Sequence, residues 1–137
     1  MRIELVRKND QVHFEARNEE RIVIQIDGSP AIGGQNLGVR PMQMLLMALG
    51  GCSGIDTVSI LKKQRQEIES FEISIDGERE QGKEPALFET IHVIFKLKGK
   101  IDIDKAQKAV SLSMDKYCSV AKTLEKTARI TYEVQVN

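Results

Sequence analysis

The segment from Pro41 to Leu61 constrains this chain more than any other. Met42, Met44, Leu45, Leu46, Met47, Leu49, Ile55, Val58, Ile60 and Leu61 fall on nearly every side of a helix. Such a helix cannot lie with one face in water and should be buried on most sides. Pro41 suits the first turn, where its missing N–H costs nothing, and polarity returns only at Lys62-Lys63-Gln64-Arg65, where cations suit a helix C-terminus. Gly50, Gly51, Ser53 and Gly54 surround Cys52 in mid-helix. Each glycine costs up to about 1 kcal/mol relative to alanine, so close approach of another backbone, a second helix or a partner strand, is the expected compensation.

Strand patterns flank this helix. Residues 2–7 alternate, Val12, Phe14 and Ala16 repeat with period two, and Ile22, Ile24 and Ile26 follow, with Asn9-Asp10 as the first turn. Gly28 to Gly38 reads as a loop. After the helix, residues 71–80 and 87–97 are strands, with Phe71, Ile73 and Ile75 on one face and Ile91, Val93, Phe95 and Leu97 on the other strand's face. Asp102 or Asp104 can cap a helix running through Ala106, Ala109, Val110 and Leu112 to Tyr117. A short helix over 119–125 and a last strand carrying Ile130, Tyr132, Val134 and Val136 close the chain. The order β-β-β-α-β-β-α-α-β predicts an α+β fold with a mainly antiparallel sheet in one domain, residues 1–137.

Composition removes several function classes. The 137 residues carry 20 basic and 20 acidic side chains, so no general field attracts nucleic acid. The N-terminus has charges throughout and does not read as a secretory signal. The longest uncharged stretch, Pro41 to Ile55, is short and glycine-rich for a membrane span. Two cysteines are too few for a disulfide framework. The expectation is a soluble, cytoplasmic protein without a membrane or nucleic-acid partner.

Cys52 and Cys118 are the residues that could carry chemistry. A cysteine reacts as its thiolate, so Cys52 in an apolar helix needs a nearby cation or donor. Arg40, just before the helix, and Arg17 or Arg21 are the candidate cations. Cys118 stands at the joint between the last two helices, where a helix dipole can favour its anion. Either cysteine could equally be a small core residue. His13 and His92 could nominally complete a Cys₂His₂ set with them, but no metal-ligand spacing occurs, and no metal is expected. The loop Gly33-Gly34-Gln35-Asn36-Leu37-Gly38 lacks the P-loop lysine and the Rossmann glycine order, so no cofactor is implied.

At these two cysteines the chain resembles the OsmC/Ohr family, named for osmotically inducible protein C and organic hydroperoxide resistance protein. The resemblance lies in Pro41-Met42-Gln43-Met44-Leu45-Leu46-Met47-Ala48-Leu49-Gly50-Gly51-Cys52 and in Tyr117-Cys118-Ser119-Val120-Ala121-Lys122-Thr123-Leu124 before a terminal strand. It implies an OsmC-like fold, a sheet wrapped around a long central helix in an intertwined homodimer with the active sites at the subunit interface. It also implies a thiol peroxidase acting on organic hydroperoxides. Cys52 would be the peroxidatic residue, Cys118 the resolving one, and a dithiol, such as a lipoylated protein, the reductant.

The family's peroxide-active members carry an arginine that activates the cysteine and a glutamate just after the proline. Met42 stands at the glutamate position, Gln43 follows it, and no arginine aligns by motif, which leaves Arg40 as the nearest candidate. Two other readings remain open: a non-catalytic dimer holding an apolar small molecule between its long helices, and a hotdog-type thioesterase using Asp56.

Overall fold

The computed structural model describes all residues, Met1–Asn137. Its elements follow the expected order: β1 (Glu4–Arg7), β2 (Phe14–Arg17), β3 (Val23–Ile26), a 3₁₀ turn (Pro30–Ile32), α1 (Pro41–Lys63), β4 (Glu67–Arg79), β5 (Phe88–Lys100), α2 (Ile103–Leu112), a π-turn (Ser113–Tyr117), α3 (Ser119–Leu124) and β6 (Arg129–Val136). Two compact units result, Met1–Leu45 and Leu46–Asn137.

In the first unit, β1, β2 and β3 form an antiparallel meander. The β1–β2 turn does without glycine because the Asn9 side chain organises it, Oδ1 accepting from the N–H groups of Gln11 and His13 at 3.0 and 3.2 Å. Asn18 does the same for the β2–β3 turn through the Ile22 N–H, and Arg21 takes a positive φ of 63° there.

The loop after β3 is held by Asp27, whose side chain is buried. Its carboxylate accepts from the N–H groups of Gly28, Gln35 and Leu37 at 2.8, 2.9 and 3.1 Å. The loop folds back so tightly that a Cβ on Gly34 would run into the Gly28 carbonyl, and one on Gly38 into the Gln25 carbonyl. This unit buries little else: Leu5, Val6, Val23 and Ile24 are exposed on its strands.

The second unit is built on a sheet of order β4-β5-β6. The inward faces are the expected ones. Ile91, Val93, Phe95 and Leu97 are buried, with Phe71 stacked on Phe95 at 6.2 Å and Tyr132 edge-on to Phe95 at 6.4 Å. Leu61, Leu97, Ala106 and Ala109 form a core cluster that packs α1 and α2 on this sheet. Asp102 caps α2, its side chain accepting from the N–H groups of Asp104 and Lys105.

β6 lies parallel to β5, with Ile91 opposite Ile130 and Phe95 opposite Val134. The mainly antiparallel expectation holds for every other pairing of strands, an isolated parallel bridge joining Ile26 to Val39 besides. The helices between β5 and β6 form a crossover, which returns the chain in the same direction.

Gly50 and Gly54 are explained by side chains rather than by a second backbone. A Cβ on Gly50 would meet Ile75 Cδ1 at 3.0 Å, and one on Gly54 would meet Ile73 Cδ1 at 2.9 Å. β4 thus presses its isoleucines into a groove on α1. Gly51 has nothing within 4 Å. The single chain covers one side of α1, burying Leu49, Ser53, Gly54, Thr57 and Leu61, and leaves Leu45, Met47, Ala48, Gly51 and Ile55 exposed.

Asp27 gives the first unit a pH dependence. The N–H groups of Gln35 and Leu37, then of Gly28, hold its carboxyl below the ordinary value of 3.8. A lowered folded-state value stabilises the fold above that pH and ceases to do so as pH falls through it. Asp27→Asn should therefore lower the denaturation midpoint at neutral pH, and the gap to wild type should close in acid. Equal midpoints at neutral pH would remove Asp27 as the loop's anchor.

Candidate functional site

Cys52 and Asp56 are one helical turn apart on α1, so they share a face. Cys118 reaches that face from the far end of the chain. The Cys52 sulfur, the Cys118 sulfur and an Asp56 carboxylate oxygen all lie within 4.8 Å of one another. Folding thus unites two cysteines with 65 residues between them in sequence, and both are free thiols.

The joint that delivers Cys118 differs from the continuous helix expected through Tyr117. α2 ends at Leu112, and Ser113–Tyr117 widens into a π-turn closed by the Cys118 N–H on the Ser113 carbonyl at 2.7 Å. The extra residue in the turn re-aims the chain, as such turns often do at functional sites. Cys118 then caps α3, its sulfur accepting from the Ala121 N–H at 3.3 Å. The Ser113 hydroxyl donates to Asp56 Oδ2 at 2.9 Å and lies 3.4 Å from the Ser53 carbonyl. The start of the π-turn is thereby tied to α1. The polar groups around this contact are satisfied locally, with Ser53 Oγ donating to the Leu49 carbonyl and Thr57 Oγ1 to the Ser53 carbonyl.

The two sulfurs are not equivalent. Cys52 is half-buried and Cys118 is fully buried. Burial pushes the Cys118 thiol up to about 11; the Ala121 N–H opposes the shift, while the hydrogen bond to Cys52 and the charge on it add to it. Cys118 therefore keeps its proton at neutral pH. Asp56 also borders a cleft of about 580 Å³, together with Ile60, Lys63, Leu112 and Tyr117. Gln64 also borders it, with a buried Oε1 that has no hydrogen-bond partner.

The remaining candidates stand elsewhere. Arg40 precedes α1, its N–H donating to Gln43 Oε1 at 2.9 Å and its guanidinium to the Gly38 carbonyl at 3.1 Å. Gln43 thus performs the cap-closing half of a capping box. Arg17 pairs with Glu15, and Arg21 lies in the β2–β3 turn rather than on a strand. His13 bonds Gln25, and His92 bonds Thr131 and lies near Glu133, so the nominal Cys₂His₂ set does not form. The group that does form contains Asp56, considered from sequence only for thioester hydrolysis. Its spacing of four from Cys52 was the available signal; Ser113 had none.

The model of the family described as OsmC-like protein matches residues 33–133. YhfA of Escherichia coli K12 is 47% identical over 97 residues, 70% of this chain and 72% of YhfA. A hypothetical protein from Aquifex aeolicus VF5, known by its crystal structure, superposes with a TM-score of 0.82 at 31% identity, covering 99% of this chain and 96% of its own. An organic hydroperoxide resistance protein from Elizabethkingia anophelis superposes with a TM-score of 0.74 at 11% identity over 100% and 97% of the two chains, a likeness of fold alone. By length and hydropathy α1 could cross a membrane, but here it is the core helix of a soluble fold, with Asp56 and both lysines of its last turn upon it. From the 101 matched residues and the identity with YhfA, the chain belongs to the OsmC family.

Proposed function

We propose that this protein is a cysteine-dependent peroxidase for organic hydroperoxides, and the observation that carries the reading is the closeness of the two sulfurs to one another, with Asp56 between them and a half-apolar cleft. Cys52, the accessible member, attacks as thiolate the terminal oxygen of ROOH. The O–O bond breaks, the alcohol leaves with a proton, and Cys52 becomes a sulfenic acid. Cys118, still protonated, is in place to resolve it. Its sulfur attacks the Cys52 sulfur, the S–O bond breaks, and the thiol proton leaves with hydroxide as water. The sum is two thiols and ROOH giving a disulfide, ROH and water. A dithiol, such as a lipoylated protein, restores the thiols by exchange.

Ile60, Leu112 and Tyr117 along the cleft favour an alkyl or lipid chain over hydrogen peroxide. A cytoplasmic setting, where thiols stay reduced, suits the chemistry.

The same reading includes a homodimer. Leu45, Ala48, Gly51 and Ile55 make an uncovered apolar stripe on α1, and the small residues in it permit close approach of a second copy. The dimer also bears on Arg40, the candidate activating residue. Twelve residues of α-helix rise about 18 Å, too far for Arg40 to serve Cys52 along its own helix. Arg40 therefore acts from the second subunit, leaving the Gly38 carbonyl to do so.

Two measurements test this. Wild type should consume cumene hydroperoxide with dihydrolipoamide faster than it consumes hydrogen peroxide, and Cys52→Ser should abolish turnover. Turnover no greater than that of the serine variant would leave the non-catalytic, apolar-ligand dimer as the reading. Light scattering on an eluting column should find a dimer, and Ile55→Glu should yield monomers; a monomeric wild type would overturn the assembly.

A further inference from the structure

We propose that Cys52, Cys118 and Asp56 also form a binding site for a soft divalent cation, with zinc as the fitting ion, a property separate from peroxide turnover and true whether or not the pair reduces peroxide. Three groups able to carry negative charge face one another within 4.8 Å. The only hydrogen-bond partner of the Asp56 carboxylate is the Ser113 hydroxyl. The chain's ion pairs all lie elsewhere, and Lys63, although on the same cleft, is not within ion-pair distance of Asp56. A cation between the three groups would displace the thiol protons and be neutralised by two thiolates and the carboxylate.

The donor set and its geometry select the ion. Two thiolates and a carboxylate suit zinc better than magnesium or calcium, which take oxygen ligands. Zinc holds sulfur at about 2.3 Å, which puts tetrahedral ligand atoms roughly 3.8 Å apart. The three atoms need to close by no more than about 1 Å to reach that spacing. Two of the ligands sit one turn apart on a rigid helix, and the third caps another helix.

The outer supports are already in place. Ser113 fixes the Asp56 carboxylate, and the Ala121 N–H points at the Cys118 sulfur. Such supports commonly orient metal ligands. Asp56 borders the open cleft, which gives an entry path and leaves a fourth coordination position for water. Three protein ligands and one water is the arrangement of an exchangeable zinc site rather than a closed structural one. The site would hold the two thiols apart from each other's chemistry, because a sulfur bound to zinc is not free to form the disulfide.

The test is a zinc titration of the reduced, chelator-treated full-length protein in competition with a chromophoric indicator, with cobalt as a spectroscopic reporter. One zinc per chain should bind, and cobalt should give a thiolate-to-metal charge-transfer band with the visible bands of tetrahedral coordination. Cys52→Ser and Asp56→Asn should each weaken zinc binding by about tenfold or more. If Cys118→Ser does not fold, the cobalt spectrum of wild type still decides. No charge-transfer band, or an affinity unchanged in Asp56→Asn, would overturn the site. Peroxide turnover measured with chelator present is independent of this outcome, so failure of one reading does not imply failure of the other.

Discussion

The site depends on the hold that the end of α2 keeps on α1. Ser113 makes that hold in two directions. Its hydroxyl bonds Asp56 on the helix carrying Cys52, and its carbonyl receives the N–H of Cys118. One residue therefore sets the distance between two sulfurs that the chain alone would leave unrelated. A buried polar contact of this kind is costly to leave half made, so the registration of α2 against α1 and the meeting of the cysteines are a single structural fact. The aromatic and aliphatic layer of β5 beneath them, Ile91 to Leu97, supplies the rigid floor on which that registration rests.

The same joint makes the cysteines different. Cys118 is buried behind the π-turn and holds its proton far above neutral pH, while Cys52 is only half-buried. A pair serving successive steps needs such asymmetry, with one sulfur reachable by a substrate and the other kept in reserve. Asp56 adds the third atom on which the proposed zinc site rests.

What the sequence reveals and what it conceals divide along physical lines. Strand faces such as Phe71-Ile73-Ile75 and the Asp102 cap were legible because period-two alternation and capping are local. The parallel placement of β6 was not, because strand direction is decided by the helical crossover between β5 and β6. Cys52 and Cys118 stood out through their flanking motifs, yet the π-turn that orients Cys118 is a tertiary adjustment with no signature in Ser113-Met114-Asp115-Lys116-Tyr117. Gly50 and Gly54 announced a close neighbour, but only the packing shows that Ile75 and Ile73 are that neighbour. The apolar surround of α1 promised burial on most sides, and one chain supplies it on one side. The uncovered side, with Gly51 in it, is the face on which the proposed dimer would pack.

The most direct measurement is the covalent state of the two cysteines after one equivalent of an organic hydroperoxide, read by intact mass and by non-reducing peptide mapping. The account predicts a chain lighter by two hydrogens, with Cys52 and Cys118 joined within the same polypeptide. A Cys52 oxidised to sulfinic acid while Cys118 stays free, or a disulfide between two copies of Cys52, would contradict it.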